Sequence, residues 1–259
     1  MNTALKSSPY DQQASQFDRR TGVKNPEQIA TAIAQISNNS GTLVEIGCGT
    51  GQIGALLAPL VEHYIGIDLS AQMLKQFASR VDNLVLLQAD GNDVWPVEDA
   101  QADLIFSSRA IHWLDIEHTI EQAYRVANPD GALLIVGRAN RAEDSWESRL
   151  RKQCHQLLKQ HQIKPRNGNA HLRQLNEAFN ARGAEILTPI VVTKWQQPRA
   201  LQQALDDWAN KSGLAGVELQ ADIKQQILTE LKQWADATFG HHLPEQTERQ
   251  YTLYPIRLF

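Results

Sequence analysis

The stretch that most constrains this chain is Glu45-Ile46-Gly47-Cys48-Gly49-Thr50-Gly51, where three glycines on alternate positions follow an acidic residue at the end of an apolar run. Leu43, Val44 and Ile46 form a short β-prone run bounded by Ser40-Gly41 and the glycines, and Ile53 to Leu60 then carries helical apolar spacing. The order is strand, glycine turn, helix. Such a turn visits backbone angles closed to most residues with a Cβ, and a ligand approaching the main chain needs that Cβ absent. A nucleotide-binding loop is the expected use.

A second run, Tyr64-Ile65-Gly66-Ile67-Asp68, closes on an acid 19 residues after Gly49. That matches the roughly 20-residue spacing at which an acid on a second strand reaches the ribose hydroxyls of a nucleoside lying across the strand ends. Asp68 also suits a cap on the helix that follows it. Gly49-Thr50-Gly51-Gln52-Ile53-Gly54 satisfies the dinucleotide pattern GxGxxG, so an NAD-dependent oxidoreductase stands as an alternative. Glu45 separates the two readings, because a carboxylate aimed at the ligand repels a pyrophosphate and suits a cation. S-adenosyl-L-methionine, with an ammonium, a sulfonium and no phosphate, is such a cation.

Val44 to Gly51, Gly66-Ile67-Asp68-Leu69-Ser70 and Gln88-Ala89-Asp90 together resemble class I S-adenosylmethionine-dependent methyltransferases of the small-molecule, methyltransferase type 11-like branch. The likeness continues through Ala102 to Ser108, His112-Trp113 and Tyr124 to Gly131, so residues 42–137 carry it in order. It implies a Rossmann-like, doubly wound, mostly parallel seven-stranded α/β sheet with helices on both faces. It further implies that two late strands complete the sheet and that intervening helices, here with Trp208, Trp234 and Phe239, form a cap over the substrate. By this resemblance Glu45 sits near the methionyl end or positions the loop, and Ser107 contacts the amino acid part of the cofactor. A helix over the cofactor is implied around Tyr10, Phe17 and Arg20, although the pattern usual there is not reproduced.

Length and composition agree. At 259 residues and 42% hydrophobic content, the chain suffices for one large α/β domain or a core with an appended cap. Residues 1–40 are expected to form a helical segment or lid, 41–140 the cofactor-binding core, and 141–259 the cap elements with the last strands. A formal net charge of −4 offers no global attraction to nucleic acid or an anionic membrane. The segment after the fourth strand lacks the asparagine-proline-proline-aromatic motif that holds a flipped adenine. A small-molecule acceptor is the expected partner, without nucleic acid or membrane. Cys48 and Cys154 have no framework spacing, Met1 to Gln16 is polar, and no apolar run reaches the ~20 residues of a membrane span, which places the chain in the cytoplasm.

Strands are expected near 42–46, 63–67, 84–88, 103–107, 131–137, 185–195 and 250–259, and helices near 53–60, 70–80, 115–127, 199–211 and 219–239. Residues 141–183 read as helical. Alternation of this kind implies a parallel sheet covered on both faces. Gly47, Gly49 and Gly51 are expected to hold the cofactor, Asp68 its ribose, and Asp90 with Gly91 its adenine edge, while Leu69 and Met73 wall the ring. His112, following the fourth strand on the rim, has the chemistry of a general base, and His112-Trp113 equally suits packing beside the cofactor. A carboxylate or phenolate acceptor needs no base. His241-His242 lacks a third ligand at suitable spacing, so no metal is expected. A noncatalytic cofactor-binding protein is the remaining alternative.

Overall fold

The computed structural model describes residues 23–37, 41–78, 81–143, 145–165, 170–211, 213–215, 217–240 and 246–259. The proposed lid residues Tyr10, Phe17 and Arg20, and the pair His241-His242, lie outside the described residues. In chain order the elements are α1 Pro26–Ile36, β1 Thr42–Ile46, α2 Gly54–Leu57, β2 His63–Asp68, α3 Ala71–Leu74, β3 Leu84–Gln88, β4 Leu104–Ser108, α4 Ile116–Val126 and β5 Leu133–Arg141. There follow α5 Trp146–Gln160, α6 Ala170–Ala181, β6 Glu185–Ile186, β7 Ile190–Pro198, α7 Leu201–Ala209, β8 Gly213–Leu214, β9 Val217–Glu218, α8 Ala221–Phe239 and β10 Gln246–Arg257.

The main sheet runs β3-β2-β1-β4-β5-β10-β6, with β7 also paired to β10. Strands β1 to β5 are parallel, in registers such as Val44 with Ile65 on one side and Ile105 on the other. Every residue of β1 is buried, as are Leu104 to Ser107 of β4. That explains why apolar residues such as Leu43, Val44, Leu104, Ile105 and Phe106 follow one another without alternating, since strands covered on both faces lose the alternation of a half-exposed sheet. The chain builds β1, β2 and β3 outward in one direction and then returns to lay β4 on the other side of β1. The carboxyl ends of β1 and β4 therefore flank a topological switch point, where an open α/β sheet leaves a crevice.

Three expected elements differ in detail. Helix 53–60 is a single α-turn followed by a 3-10 turn at Ala58–Leu60, where Pro59 supplies no amide for an α-helical bond. Among the described residues of the expected helix 70–80, Ala71–Leu74 are α-helical, after which Gln76 and Phe77 bond back three residues to Met73 and Leu74. The strand expected at 185–195 is two strands, because Pro189 lacks the N–H that would continue the ladder. Both pieces pair with the twelve-residue β10, so that among the described residues this sheet has eight strands.

The chain divides into two compact units, one comprising the chain up to Ala139 with Leu172–Thr193 and Tyr251–Phe259, the other Asn140–His171 with Lys194–Gln250. The first contains the parallel sheet. The second packs Leu150, Leu157 and Leu158 of α5, Leu201 and Leu205 of α7, and Ile227 and Leu231 of α8 into its own core.

The loop after β3 is held by α4. Arg125 donates from its guanidinium to the Trp95 carbonyl at 2.7 Å, the Val97 carbonyl at 2.8 Å and the Gln122 side chain, and pairs with Asp99 at 2.7 Å. Trp95 is buried and donates its indole N–H to the Gly91 carbonyl at 3.0 Å. One guanidinium thus anchors the tryptophan that fixes Gly91. Asp115 caps α4, accepting from the His118 amide at 2.9 Å. Arg125→Lys removes the fork that reaches both carbonyls, and the expected cost is about 2 kcal/mol in urea unfolding. An unchanged midpoint would contradict this anchoring.

Candidate active site

The glycine loop is bent back onto the end of β2. Gly47, Gly49 and Gly51 have φ of 74°, 56° and 79°, the left-handed region that glycine enters without strain. The amides of Gly47 and Cys48 both donate to the Ile67 carbonyl, at 2.8 and 3.0 Å. Asp68, at the next position, takes the Gly49 amide on Oδ2 at 2.8 Å and the Ser70 amide on Oδ1 at 2.8 Å. Its carboxylate therefore ties the loop following β1 to the end of β2. The cap of α3 itself is Ser70, whose hydroxyl accepts from the Met73 amide at 3.2 Å.

Behind the loop lies a buried acid. Glu45 accepts a hydrogen bond from the Tyr64 hydroxyl, and both side chains are sealed from solvent. Burial pushes the Glu45 carboxyl up to about 8, opposed by the Tyr64 bond and reinforced by the negative charge of Asp68. Gly54 makes room for the pair, since a Cβ there would stand 2.0 Å from the Tyr64 hydroxyl and 2.5 Å from Glu45 Oε2. The last glycine of the GxGxxG match is thus required by two polar side chains. Cys48 is buried beside them, and burial with the neighbouring carboxylates raises its thiol far above the ordinary range.

Two adjoining cavities open at the strand ends, both lined by Gly47, Asp68, Ala110 and Trp113. The first is also bounded by Glu45, Gly49, Met73 and Arg109, the second by Leu69, Ala89, Asp90, Gly91 and Leu114. The second is mainly apolar, with polar groups along one side. Asp90 accepts the Asn92 amide at 2.9 Å in a tight turn, which sets its carboxylate at that edge.

Of the residues nominated from sequence, Glu45, Gly47, Gly49, Asp68, Leu69, Met73, Asp90 and Gly91 are brought together in this cleft. Gly51, Ser107 and His112 line neither cavity. Gly51 lies against Phe77, whose ring would be 2.5 Å from an added Cβ, and the Ser107 hydroxyl donates to the Ile46 carbonyl at 3.0 Å, joining β4 to β1. His112 is exposed on the 3-10 turn Ile111–Trp113, its ring 5.1 Å from that of Trp113. Trp113, expected beside the cofactor as part of the His112-Trp113 pair, lines the cleft, whereas Tyr64 and Arg109 were not among the expected site residues. Tyr64 carried a signal, as a phenol in a strand of otherwise aliphatic character. Arg109 carried none, since its φ of 58° and its amide bond to the Gly137 carbonyl at 3.1 Å are visible only in the fold. Trp113 remains 65% exposed while its side chain lines both cavities.

Residues 44–135 match the family model described as "Methyltransferase domain". The "Probable S-adenosylmethionine-dependent methyltransferase CRG1" of Saccharomyces cerevisiae is 32% identical over 96 residues, which are 35% of this chain and 33% of that protein. A "Malonyl-[acyl-carrier protein] O-methyltransferase" of Enterobacter lignolyticus is 26% identical over 129 residues, 49% of each protein. These alignments span between a third and a half of the relatives' own lengths. Among solved structures, geranyl diphosphate methyltransferase in complex with SAM superposes with a TM-score of 0.51 at 14% identity, covering 100% of this chain and 95% of that one. That likeness is one of fold.

The position of Glu45 gives stability a defined pH dependence. Its carboxyl titrates near 4.5 when unfolded and near 8 when folded, so the fold favours the protonated form. The resulting stabilisation is complete below about pH 4.5 and is lost as pH rises through about 8, with a slope approaching 1.4 kcal/mol per pH unit between. Glu45→Gln, which stays neutral, should hold its unfolding free energy across that window while the wild type declines relative to it. Parallel curves from pH 5 to pH 9 would contradict the buried protonated carboxyl.

Proposed function

We propose that this chain, whose residues 44–135 match the methyltransferase-domain model, is a class I S-adenosylmethionine-dependent methyltransferase that transfers the methyl group to an oxygen, nitrogen or carbon of a small organic acceptor. The carrying observation is the single cleft in which the Asp68 carboxylate clasps the glycine loop beside the buried Glu45 and an apolar chamber. S-adenosyl-L-methionine, when bound, supplies a methyl carbon on a cationic sulfur that becomes neutral as the carbon–sulfur bond breaks.

The chain's residues fit that group. Asp68 offers a carboxylate to the ribose diol, and each carboxylate oxygen can accept more than one hydrogen bond. Leu69, Ala89 and Leu114 form apolar walls suited to a purine, with Asp90 and Gly91 at its polar edge. Met73, expected beside Leu69 at the ring, instead lines the first cavity, where with Gly47 and Gly49 it frames the amino acid part, Arg109 suiting its carboxylate and Glu45 its ammonium. Gly51 and Ser107 act from behind, the first by admitting Phe77 and the second by holding β4 on β1. Positioning two reactants in line supplies much of the barrier reduction for such a transfer.

A pyrophosphate is disfavoured here. The Gly49 amide is engaged by Asp68, and the carboxylates of Asp68 and Asp90 face the same cleft. No relative described above is an oxidoreductase, and nothing favours the nicotinamide alternative. The malonyl O-methyltransferase relative supports a carboxylate oxygen as one candidate nucleophile, for which no base is required. For an acceptor that arrives protonated, we assign proton removal to His112, on the turn that carries Trp113 to the cleft. No helix among the described residues is long and apolar enough to cross a membrane, and a cytoplasmic enzyme with a small acceptor belongs to the same proposal.

Calorimetric titration with S-adenosylhomocysteine should give saturable binding, weakened about tenfold or more by Asp68→Ala. No heat with the wild type, or equal affinity in the variant, would overturn the cofactor assignment. Once an acceptor is identified, His112→Gln should lower kcat and remove one limb of its pH profile while leaving S-adenosylhomocysteine affinity unchanged. An unaltered profile would remove His112 from the chemistry.

A further inference from the structure

The helical unit holds a concentration of positive charge that the methyl-transfer reading does not use. On α5, Glu147, Arg151 and Cys154 recur at spacings of four and three, which places them on one helix face. Glu147 is buried and receives three guanidinium groups, Arg249 at 2.7 Å, Arg199 at 3.1 Å and Arg141 at 3.4 Å. Arg199 is shared with Asp207 at 2.8 Å. Three cations on two carboxylates leave this cluster positive before the next arginine is counted.

That next arginine is Arg151. It is half-buried, desolvation and the repulsion of Arg141 both press on its charged form, and among the described residues no carboxylate pairs with it. It lines a small cavity with Cys154, Trp208, Lys211 and the segment Gly213 to Ala215. Lys211 also has no carboxylate partner among the described residues. Its position is fixed from behind by Lys224, whose ammonium donates to the carbonyls of Ala209 and Lys211 past the C-terminal end of α7. A guanidinium withdrawn from water without a counter-charge is costly, and an anion entering the cavity would offset that cost. Trp208, partly buried in the same wall, adds a flat apolar surface.

We propose that this cavity binds an anionic small molecule whose carboxylate or phosphate pairs with Arg151 and Lys211 and whose flat or apolar body lies against Trp208. The guanidinium fork matches a planar carboxylate or two phosphate oxygens, while Lys211 contributes a point charge. The inference stands on the helical unit alone and does not rest on methyl transfer.

Trp208 provides the readout. The full chain, without cofactor, is titrated with benzoate, phenyl phosphate and neutral benzamide while tryptophan emission is followed. Benzoate or phenyl phosphate should change the emission saturably, benzamide should not, and Trp208→Phe should abolish the change. The stronger of the two anions identifies the headgroup. Arg151→Gln should weaken that anion about tenfold or more, and Lys211→Gln, an exposed change that leaves the fold intact, should weaken it by a smaller factor. Benzamide binding as well as benzoate would overturn the proposal. So would an absence of saturation by either anion in the millimolar range, or wild-type affinity in both variants. Loss of this binding leaves S-adenosylhomocysteine titration unaffected, so the two readings fail separately.

Discussion

The bond from the Gly49 amide to the Asp68 carboxylate holds the site together, because it joins the turn after β1 to the end of β2. Both partners are placed by the parallel sheet, whose β1 and β2 run in register from Thr42 with His63 to Ile46 with Ile67. The Ile67 carbonyl takes two loop amides and Asp68 takes the third, so the loop is shaped by strand β2 before any ligand enters. Preformed loops of this kind reduce the ordering cost of binding. Shape and negative charge thus arise from one contact.

A second layer stands behind it. Glu45 and Tyr64 face one another across β1 and β2 in a space that Gly54 leaves open. A protonated Glu45 costs little to bury, and ionising it against a cationic ligand would release a proton. On the opposite flank, Arg125 and Trp95 fix Gly91. The polar groups Glu45, Asp68 and Asp90 and the backbone at Gly49 and Gly91 are therefore held by named contacts within the fold.

The parts of this arrangement legible in the sequence are the local ones. Glycines at positions 47, 49 and 51 report a turn needing positive φ, and Asp68 follows an apolar run by the spacing of a βαβ unit, so both are readable without tertiary information. The Asp115 cap is local as well. What escaped reading depends on contacts between distant segments. Gly54 appeared to belong to a phosphate fingerprint, and its real neighbours, Tyr64 and Glu45, are set against it by sheet pairing. Arg109 in a left-handed conformation breaks a residue preference for reasons supplied by Gly137 on the adjacent strand. The division of β6 from β7 was readable in principle from Pro189. The arginines around Glu147 run from position 141 to 249, and no spacing rule connects them.

The central claim is that the cleft between the ends of β1, β2 and β4 receives a cationic sulfur nucleoside. The most direct measurement is an experimentally determined structure of the chain with S-adenosylhomocysteine. The account predicts density for the ribose at Asp68, the purine between Leu69 and Leu114, and the amino acid part beside Gly47 and Glu45. Density for the ligand elsewhere, or a cleft closed by the protein's own side chains under saturating ligand, would contradict it.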